Sequence, residues 1–501
     1  MGHFLLGIDI GSSSVKISLL DAEHGKVVAQ AQSPADEMGM EAINPGWAEQ
    51  NPDLWWEHVK AGILLCKEKV RSLFPFIHGI GISYQMHGLV AVGKDHKPLR
   101  SSIIWCDSRA VEIGQQAFKT LGKEYCLTHL LNSPGNFTAS KLKWVKDHEP
   151  SLYESIHKMM LPGDYIALKL TGEMNTTATG LSEGIFWDFE QGKVSEKVMA
   201  HFGFHQDLIP AVVPVFGEQG IVRKEVAMEL GIPEKIPVAY RAGDQPNNAF
   251  SLKVISPGET AATAGTSGVI YHVTGKKPVD MQSRVNTFLH VNHVPERPAN
   301  GVLLCVNGTG ILNSWMKNNF RSEGIHTYEK MNALAAEIPI GAKGLVVIPF
   351  GNGAERILEN RNLGASVSGL DFNQHQTGHF FRAAQEGIVF ALRYGFDVLK
   401  EMGLESKVIR AGLANMFLSP VFREAFVNCM GTELELYNTD GATGAARGAG
   451  VGTGLFSSFE EAFENFDCQK IEKPNAGLSH QYEEAYQHWR VALKRRLEDK
   501  I

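Results

Sequence analysis

A carboxylate near the N-terminus of this chain stands where a phosphate could be bound. Asp9 lies near the end of the apolar run Phe4–Ile10, directly before a turn of small residues at 11–14. A buried carboxylate is costly unless it is paired or binds a metal, and Gly and Ser let backbone N–H groups approach an anion. The stretch is consistent with a Mg²⁺–polyphosphate site, or with an ordinary hairpin whose Asp caps its own turn.

A second carboxylate, Asp244, ends the apolar stretch 238–243 and is followed by Gln245. Taken alone, a carboxylate in this setting is favoured to cap a turn; the alternative is a general base that takes the proton of a hydroxyl group during phosphoryl transfer. A further strand–turn–strand pattern, with the turn at 265–268, repeats the design of the first hairpin about 250 residues later. The repeat predicts two similar domains that face one another, with a boundary near 245–258 and a polyphosphate held between the two turns.

The elements needed to position these groups alternate between strands and helices, which predicts an α/β protein. Strands are expected at 4–10, 15–20, 24–31, 77–83, 103–109, 238–243, 302–306 and 344–349. Helices are expected at 53–74, through much of 110–170, and at 224–230, 379–402 and 482–497, where apolar residues recur with helical spacing. Residues 440–454 are extreme in Gly and Ala, which predicts close helix packing rather than ligand contact.

Composition excludes several classes of protein. The 501 residues are 44% hydrophobic and 21% charged, with a net charge of −7, as in a globular protein of two or more domains. No Lys/Arg block suggests a nucleic-acid partner, and no apolar stretch approaches the roughly 20 residues of a membrane helix. The N-terminus does not resemble a signal peptide. Six scattered cysteines without metal spacing indicate free thiols in a reducing, cytoplasmic location.

Several motifs together resemble those of the FGGY carbohydrate kinases, and the resemblance spans nearly the whole chain. They are Asp9-Ile10-Gly11-Ser12-Ser13-Ser14-Val15-Lys16, Gly46-Trp47-Ala48-Glu49-Gln50 with Trp55-Trp56, Gln85-Met86-His87-Gly88, Trp105-Cys106-Asp107-Ser108-Arg109, Gly243-Asp244-Gln245, Gly265-Thr266-Ser267-Gly268, and Arg382-Ala383 with Glu386-Gly387 and Ala391-Leu392-Arg393. The resemblance implies two actin/hexokinase-like (ribonuclease H-like) α/β domains with a cleft between them. Residues 1–247 would bind the sugar and carry the first phosphate turn, and residues 248–501 would bind the nucleotide.

The resemblance also implies roles for single residues, with ATP and Mg²⁺ taking part. Asp244 would be the general base, and Asp9 would be the second catalytic residue and hold Mg²⁺. Sugar contacts are expected from Gln85, Met86, His87, Trp105, Asp107, Asp244 and Gln245. Nucleotide contacts are expected from Gly11, Ser12, Ser13, Lys16, Gly265, Thr266, Gly310, Gly412 and Asn415. The alternatives are structural: Lys16 could be exposed on its strand, and Arg109 is expected to pair with an acid.

Two positions depart from the family pattern. Ala411-Gly412-Leu413-Ala414 replaces a Gly-Gly-Gly-Ala adenosine motif, and Gln245 follows the catalytic Asp where many sugar kinases of this type have Asn. The Met86-His87-Gly88 segment favours xylulose over glycerol. We therefore expect ATP-dependent phosphorylation of D-xylulose to D-xylulose 5-phosphate. The alternatives are a ribulose, gluconate or glycerol kinase of the family, and a non-catalytic actin-like nucleotide switch. The expected partners are the sugar and ATP, without nucleic acid or membrane, and with a possible homodimer.

Overall fold

The structure is a computed structural model, which describes residues 2–320 and 327–498. Its first sheet has five strands, in the spatial order Val238–Gly243, Ile77–Tyr84, Phe4–Ile10, Val15–Asp21 and Lys26–Ser33. The last three strands pair antiparallel as two hairpins, whereas the first three pair in parallel. Because parallel neighbours present their carboxyl ends at one edge, residues that follow these strands meet there.

The second sheet repeats this connectivity. Its spatial order is Asn286–Leu289, Asn300–Val306, Gly268–Thr274, Glu259–Ala264, Val408–Gly412, Leu434–Tyr437 and Cys468–Glu472. Without the two edge strands, its five central strands have the same order and the same pattern of antiparallel and parallel neighbours as the first sheet. The prediction of two similar halves, made from the two hairpins, is confirmed.

The remaining elements surround these sheets. The longer helices are Pro52–Lys69, Val111–Leu121, Thr138–His148, Pro162–Thr171, Glu196–Phe202, Lys224–Leu230, Asp244–Ser251, Gly310–Asn319, Tyr328–Ala336, Thr377–Glu401, Pro420–Met430, Gly441–Gly452 and Ala476–Glu498. Short strand pairs are Glu49–Gln50 with Ser102–Ile103, Val90–Val92 with Lys158–Met160, Asn175–Thr177 with Ala211–Val213, Trp187–Asp188 with Lys193–Val194, and Val346–Ile348 with Ser366–Ser368.

One predicted strand is wrong in extent. We expected a strand over 103–109, but the strand ends at Ile103 and the chain then turns. The reason is local: Asp107 accepts hydrogen bonds from the backbone N–H groups of Ala48 and Arg109, which fold the segment back on itself.

The helix Gly441–Gly452 is built from small residues and packs on the first sheet, although it comes from the second half of the chain. A Cβ at Gly7 would collide with the carbonyl oxygen of Ala442, and one at Gly81 with that of Ala445. The predicted close packing is thus confirmed. Side chains alternate along a strand, so Asp9 lies on the same face as Gly7 and is directed towards this helix.

The opposite face of the first sheet is apolar. Leu6, Ile8 and Ile10 are fully buried there against the helices Pro52–Lys69 and Pro162–Thr171. All six cysteines are free, as predicted. Within the described ranges, no helix has the length and apolar character needed to cross a membrane.

Candidate active site

The carboxylate of Asp9 lies against the N-terminus of the small-residue helix. A Cβ at Gly441 would lie 2.6 Å from its Oδ2, so the carboxylate occupies the space that any other side chain would fill. Burial raises the pKa of Asp9; Ser83 and Lys16 lower it, and the charge of Asp440 raises it. The positive end of a helix dipole favours an anion at this position. Because burial has the largest effect and the pKa of Asp9 is raised overall, a bound cation would favour its charged form.

The first turn, 11–14, is closed by a hydrogen bond from the Gly11 N–H to the carbonyl of Ser14, at 3.0 Å. Gln50 donates from Nε2 to the carbonyl of Ser12, at 2.6 Å, which fixes the turn from behind. Ser13 is exposed, and Lys16 is exposed on the strand directly opposite Asp9. The turn therefore faces open space beside the Asp9 carboxylate, as a phosphate site requires.

Asp244 is the first residue of the helix Asp244–Ser251, at the edge where the parallel strands end. Burial raises its pKa to about 7, assisted by the charge of Asp9; hydrogen bonds from the backbone and the Gln245 side chain lower it. The Nε2 of Gln245 lies 3.3 Å from Oδ2 of Asp244. A carboxylate with a pKa near neutrality suits a general base.

Met86 and His87 follow the neighbouring strand, at the edge of the sheet where Asp244 also lies. A Cβ at Gly243 would lie 2.6 Å from Cγ of Met86, so this side chain packs directly on the residue that precedes the base. His87 has a φ of 62°, in the left-handed region, and its Nδ1 lies 3.1 Å from the carbonyl oxygen of Glu183. Burial lowers the pKa of His87 to about 3, so the ring is neutral. Nδ1 donates to the carbonyl, which leaves Nε2 as an acceptor.

Two residues near this turn were missed by sequence reasoning. Lys141 is fully buried and donates from Nζ to the carbonyl oxygens of His87, at 2.8 Å, and Ile104, at 2.9 Å. Burial lowers its pKa to about 7. Glu183 is the other missed residue. Neither is near a motif in the sequence, and a buried polar residue within a helix has no signal in hydrophobic spacing.

Three other residues predicted to contact the sugar have different surroundings. Gln85 is 3% exposed and donates to Gln50 Oε1, at 3.2 Å, behind the first turn. Trp105 is 47% exposed, with its indole nitrogen 3.4 Å from Oγ of Ser12 in the first turn. Asp107 has no exposed surface, because both of its oxygens are bonded to Arg109 or to backbone N–H groups. These bonds give Asp107 a supporting role in the segment, and its direct contact with the sugar stays a prediction.

The pairing expected of Arg109 is confirmed. Its guanidinium bonds Asp107 bidentately and also meets Glu49, at 2.6 Å. It stacks on Trp47, with the guanidinium carbon 3.7 Å from the ring centroid. The motif Gly46 to Gln50 therefore supports both the first turn and the segment after Ile103.

Four predicted nucleotide residues line one cavity of about 690 Å³ in the second half: Gly265, Thr266, Gly310 and Asn415. The N–H of Gly310 donates to the carbonyl of Gly265, at 2.8 Å, which seats a helix N-terminus on the second turn. The volume is typical of a small-molecule site. Other lining residues, which the sequence did not reveal, include Ile311, Asn313, Ser314, Tyr328, Asn332 and Ser419. Gly412 ends a neighbouring strand and is not in the lining.

Models of the FGGY family of carbohydrate kinases match both halves of the chain. The N-terminal domain model matches residues 4–251, and the C-terminal domain model matches residues 260–452. The chain belongs to the FGGY family of carbohydrate kinases, and its two-domain α/β fold of the actin/hexokinase-like class is as predicted. The phosphate donor in this family is ATP.

Individual relatives resemble the chain over nearly its full length. The xylulose kinase of Haemophilus influenzae is 27% identical, covering 97% of this chain and 99% of its own length. The xylulose kinase of Bacillus subtilis is 29% identical, covering 92% of this chain and 91% of its own length. The crystal structure of xylulose kinase from Rhodospirillum rubrum has the same fold, with a TM-score of 0.86 at 24% identity and coverage of 98% and 99%.

Proposed function

We propose that this protein phosphorylates D-xylulose with ATP, giving D-xylulose 5-phosphate and ADP. The observation that carries the proposal is Asp244, a carboxylate with a pKa of about 7 at the carboxyl edge of the first sheet, directly after Gly243, on which Met86 packs. Its full-length relatives are named xylulose kinases, which supports this choice among sugars.

In the proposed reaction, a hydroxyl oxygen of the sugar attacks the γ-phosphorus of ATP. Asp244 takes the hydroxyl proton as the new O–P bond forms and the O–P bond to ADP breaks. His87 can accept a hydrogen bond from a second hydroxyl at Nε2, because its Nδ1 is occupied. Gln245, which is bonded to Asp244, orients the base.

ATP would extend from the cavity at Gly265 and Gly310 to the first turn, across the cleft. Asp9 fits a Mg²⁺ role as one partly buried carboxylate beside an open turn. The described residues contain no cluster of three metal-binding side chains, so the ion would depend on ATP phosphates and water, as Mg²⁺ commonly does. When bound, it would neutralise charge on the transferring phosphoryl group. Closure of the two halves would exclude water as a competing acceptor.

The test is a panel of acceptors in an ADP-release assay: D-xylulose, D-ribulose, gluconate and glycerol. We expect the highest kcat/KM with D-xylulose, and NMR of the product should show phosphate on O5. A higher kcat/KM with another acceptor would replace xylulose with that sugar. ADP release that no sugar stimulates would instead favour a nucleotide switch.

Three further parts of the proposal concern organisation. We propose residues 1–247 and 248–501 as the sugar and nucleotide domains, a homodimer, and a cytoplasmic location. Nucleic acid is not expected among the partners. Sedimentation of the purified protein measures the oligomeric state, and a monomer at all concentrations would contradict the homodimer.

A further inference from the structure

Glu183 lies directly beneath the proposed base. It ends the short helical segment Ala178–Glu183 and is only 2% exposed. A Cβ at Gly243 would lie 2.6 Å from Oε2 of Glu183 and equally far from Cγ of Met86. The carboxyl group and the Met86 side chain therefore share the space left by the missing side chain of Gly243, the residue before Asp244.

The backbone of Glu183 contacts the same site. Its carbonyl oxygen lies 3.1 Å from Nδ1 of His87. His87 is in the left-handed region, where a residue with a Cβ is strained and is held by its surroundings. Glu183 thus contacts Gly243 and His87, which follow two different strands of the sheet.

Within the described residues, the carboxyl group forms no ion pair. Its side-chain hydrogen-bonding neighbour is the hydroxyl of Tyr84, a buried and uncharged group. Arg241, a buried arginine that faces Tyr84, is already in an ion pair with Asp164, with Nε 2.9 Å from Oδ1. A buried carboxyl group without a cation is far less costly when protonated than when charged.

Most of the surroundings act in the same direction, although the hydroxyl of Tyr84 and the contact with His87 lower the pKa of Glu183. Burial and then the charge of Asp244 raise the pKa of Glu183 well above its ordinary value. The other titratable groups that face it are Tyr84, Asp164, Lys141 and Tyr271. When the surroundings of two carboxyl groups give them different pKa values, one group can be charged while the other is neutral, and the two take different roles.

We propose that Glu183 is a positioning residue of the sugar site, whose uncharged carboxyl group fixes the Gly243–Asp244 step and the Met86–His87 turn relative to one another. The inference rests on the proposed function, because the groups that it positions are the base and the sugar-binding turn.

The test compares Glu183→Gln with Glu183→Leu. Gln keeps the shape and a donor of the neutral acid, whereas Leu keeps only the volume. We expect Glu183→Leu to lower kcat about 100-fold and raise the KM for the sugar about tenfold, with the KM for ATP within about twofold. Glu183→Gln should lower kcat only about threefold, and its activity should fall at the same acidic pH as in the wild type.

Glu386→Gln is the matched control, since Glu386 is equally buried but is paired with Arg382 in the second half. It should lower the melting temperature without changing the sugar KM or the acid limb. Near-wild-type kinetics for Glu183→Leu would overturn the inference. So would a shift of the acid limb to lower pH in Glu183→Gln, because it would reveal a charged Glu183.

Folding and function can be separated in the same experiment. ATP binding, measured by calorimetry, reports whether Glu183→Leu is folded, because the nucleotide cavity is in the other half. If Leu abolishes ATP binding, the Gln variant and its pH profile decide the inference. A wild-type protein that phosphorylates no sugar would refute the proposed function itself, whereas an active wild type with a normal Leu variant would refute only the role of Glu183.

Discussion

Oδ2 of Asp9 lies where the side chain of residue 441 would begin, 2.6 Å from the Cβ position of Gly441. The two residues are separated by almost the whole chain, yet the glycine determines where the carboxylate can be. The helix N-terminus at Gly441 also places backbone dipoles towards Asp9. The organisation of the first phosphate turn thus depends on a residue of the second half.

Gly441→Ala tests this dependence. The added Cβ would displace the Asp9 carboxylate, and a misplacement of about 1 Å can cost about 100-fold in rate. We expect kcat to fall by roughly this factor while the KM for the sugar changes little. Gly450→Ala is the control, because Gly450 is near the other end of the same helix. Its added Cβ would meet the ring of Phe456, so stability should fall while kcat is unchanged. Equal kcat losses in both variants would contradict the prediction.

Asp244→Asn removes the proposed base and should lower kcat by about 10²–10⁴-fold. In the wild type, the base acts in its charged form, and its pKa is raised to about 7. The kcat/KM for the sugar should therefore be constant well above pH 7 and fall about tenfold per pH unit below it. A profile that falls only near pH 4 would show that Asp244 is not the group that limits the rate.

The same raised pKa predicts that Asp244 lowers the stability of the folded protein, although it assists catalysis. The folded state binds a proton at Asp244 below about pH 7, whereas the unfolded chain binds it only near its ordinary pKa. Asp244 therefore destabilises the fold above pH 7, and this cost is lost as pH falls from 7 towards 4. The melting temperature of Asp244→Asn should be higher than that of the wild type at pH 8, and the difference should be smaller at pH 5. A constant difference would argue against the raised pKa.

Lys141→Met tests the support of the His87 turn. Met approximates the volume of Lys but leaves the carbonyls of His87 and Ile104 without their donor, at a cost of about 1–3 kcal/mol each. We expect a lower melting temperature and a KM for the sugar raised about tenfold, with ATP binding retained. Lys143→Met is the control, because Lys143 is on the same helix but only pairs with Asp147 at the surface. An unchanged sugar KM in Lys141→Met would refute the supporting role.

Gly310→Ala tests the nucleotide cavity. Its Cβ would collide with the carbonyl oxygen of Gly265 and push the second turn away from the helix at Gly310. The KM for ATP should rise about tenfold while the affinity for the sugar is unchanged. Gly395→Ala, which would crowd Leu304 in the core of the same half, is the control. A raised KM for ATP in the control as well would indicate a general loss of packing.

The sequence predicted the parts of the fold that depend on local pattern. Both hairpins, the long helix Thr377–Glu401 and the helix Lys224–Leu230 follow from residue spacing over a few turns or strands. Asp9 and Asp244 were identifiable because an acid at the end of an apolar strand breaks the expected pattern. These features need no knowledge of which strands become neighbours.

The supporting residues could not be predicted, because their roles depend on contacts between distant segments. Glu183 meets His87 across 96 residues, and Lys141 meets it across 54. Asp107 looked available for a ligand until the structure showed Arg109 and Ala48 bonded to it. Sequence identifies a polar residue, but only its tertiary neighbours determine whether its bonding capacity is already used.

The helix Gly441–Gly452 also affects the order in which the protein can mature on the ribosome. One face of the first sheet is covered by a segment that is synthesised long after the sheet itself. Until residue 452 has emerged, Leu5 and Tyr240, which are fully buried in the finished protein, lack this cover. Nascent chains with exposed apolar surface are prone to aggregate. The N-terminal half should therefore remain a chaperone client until residue 452 has been synthesised, and it should fold poorly when expressed alone.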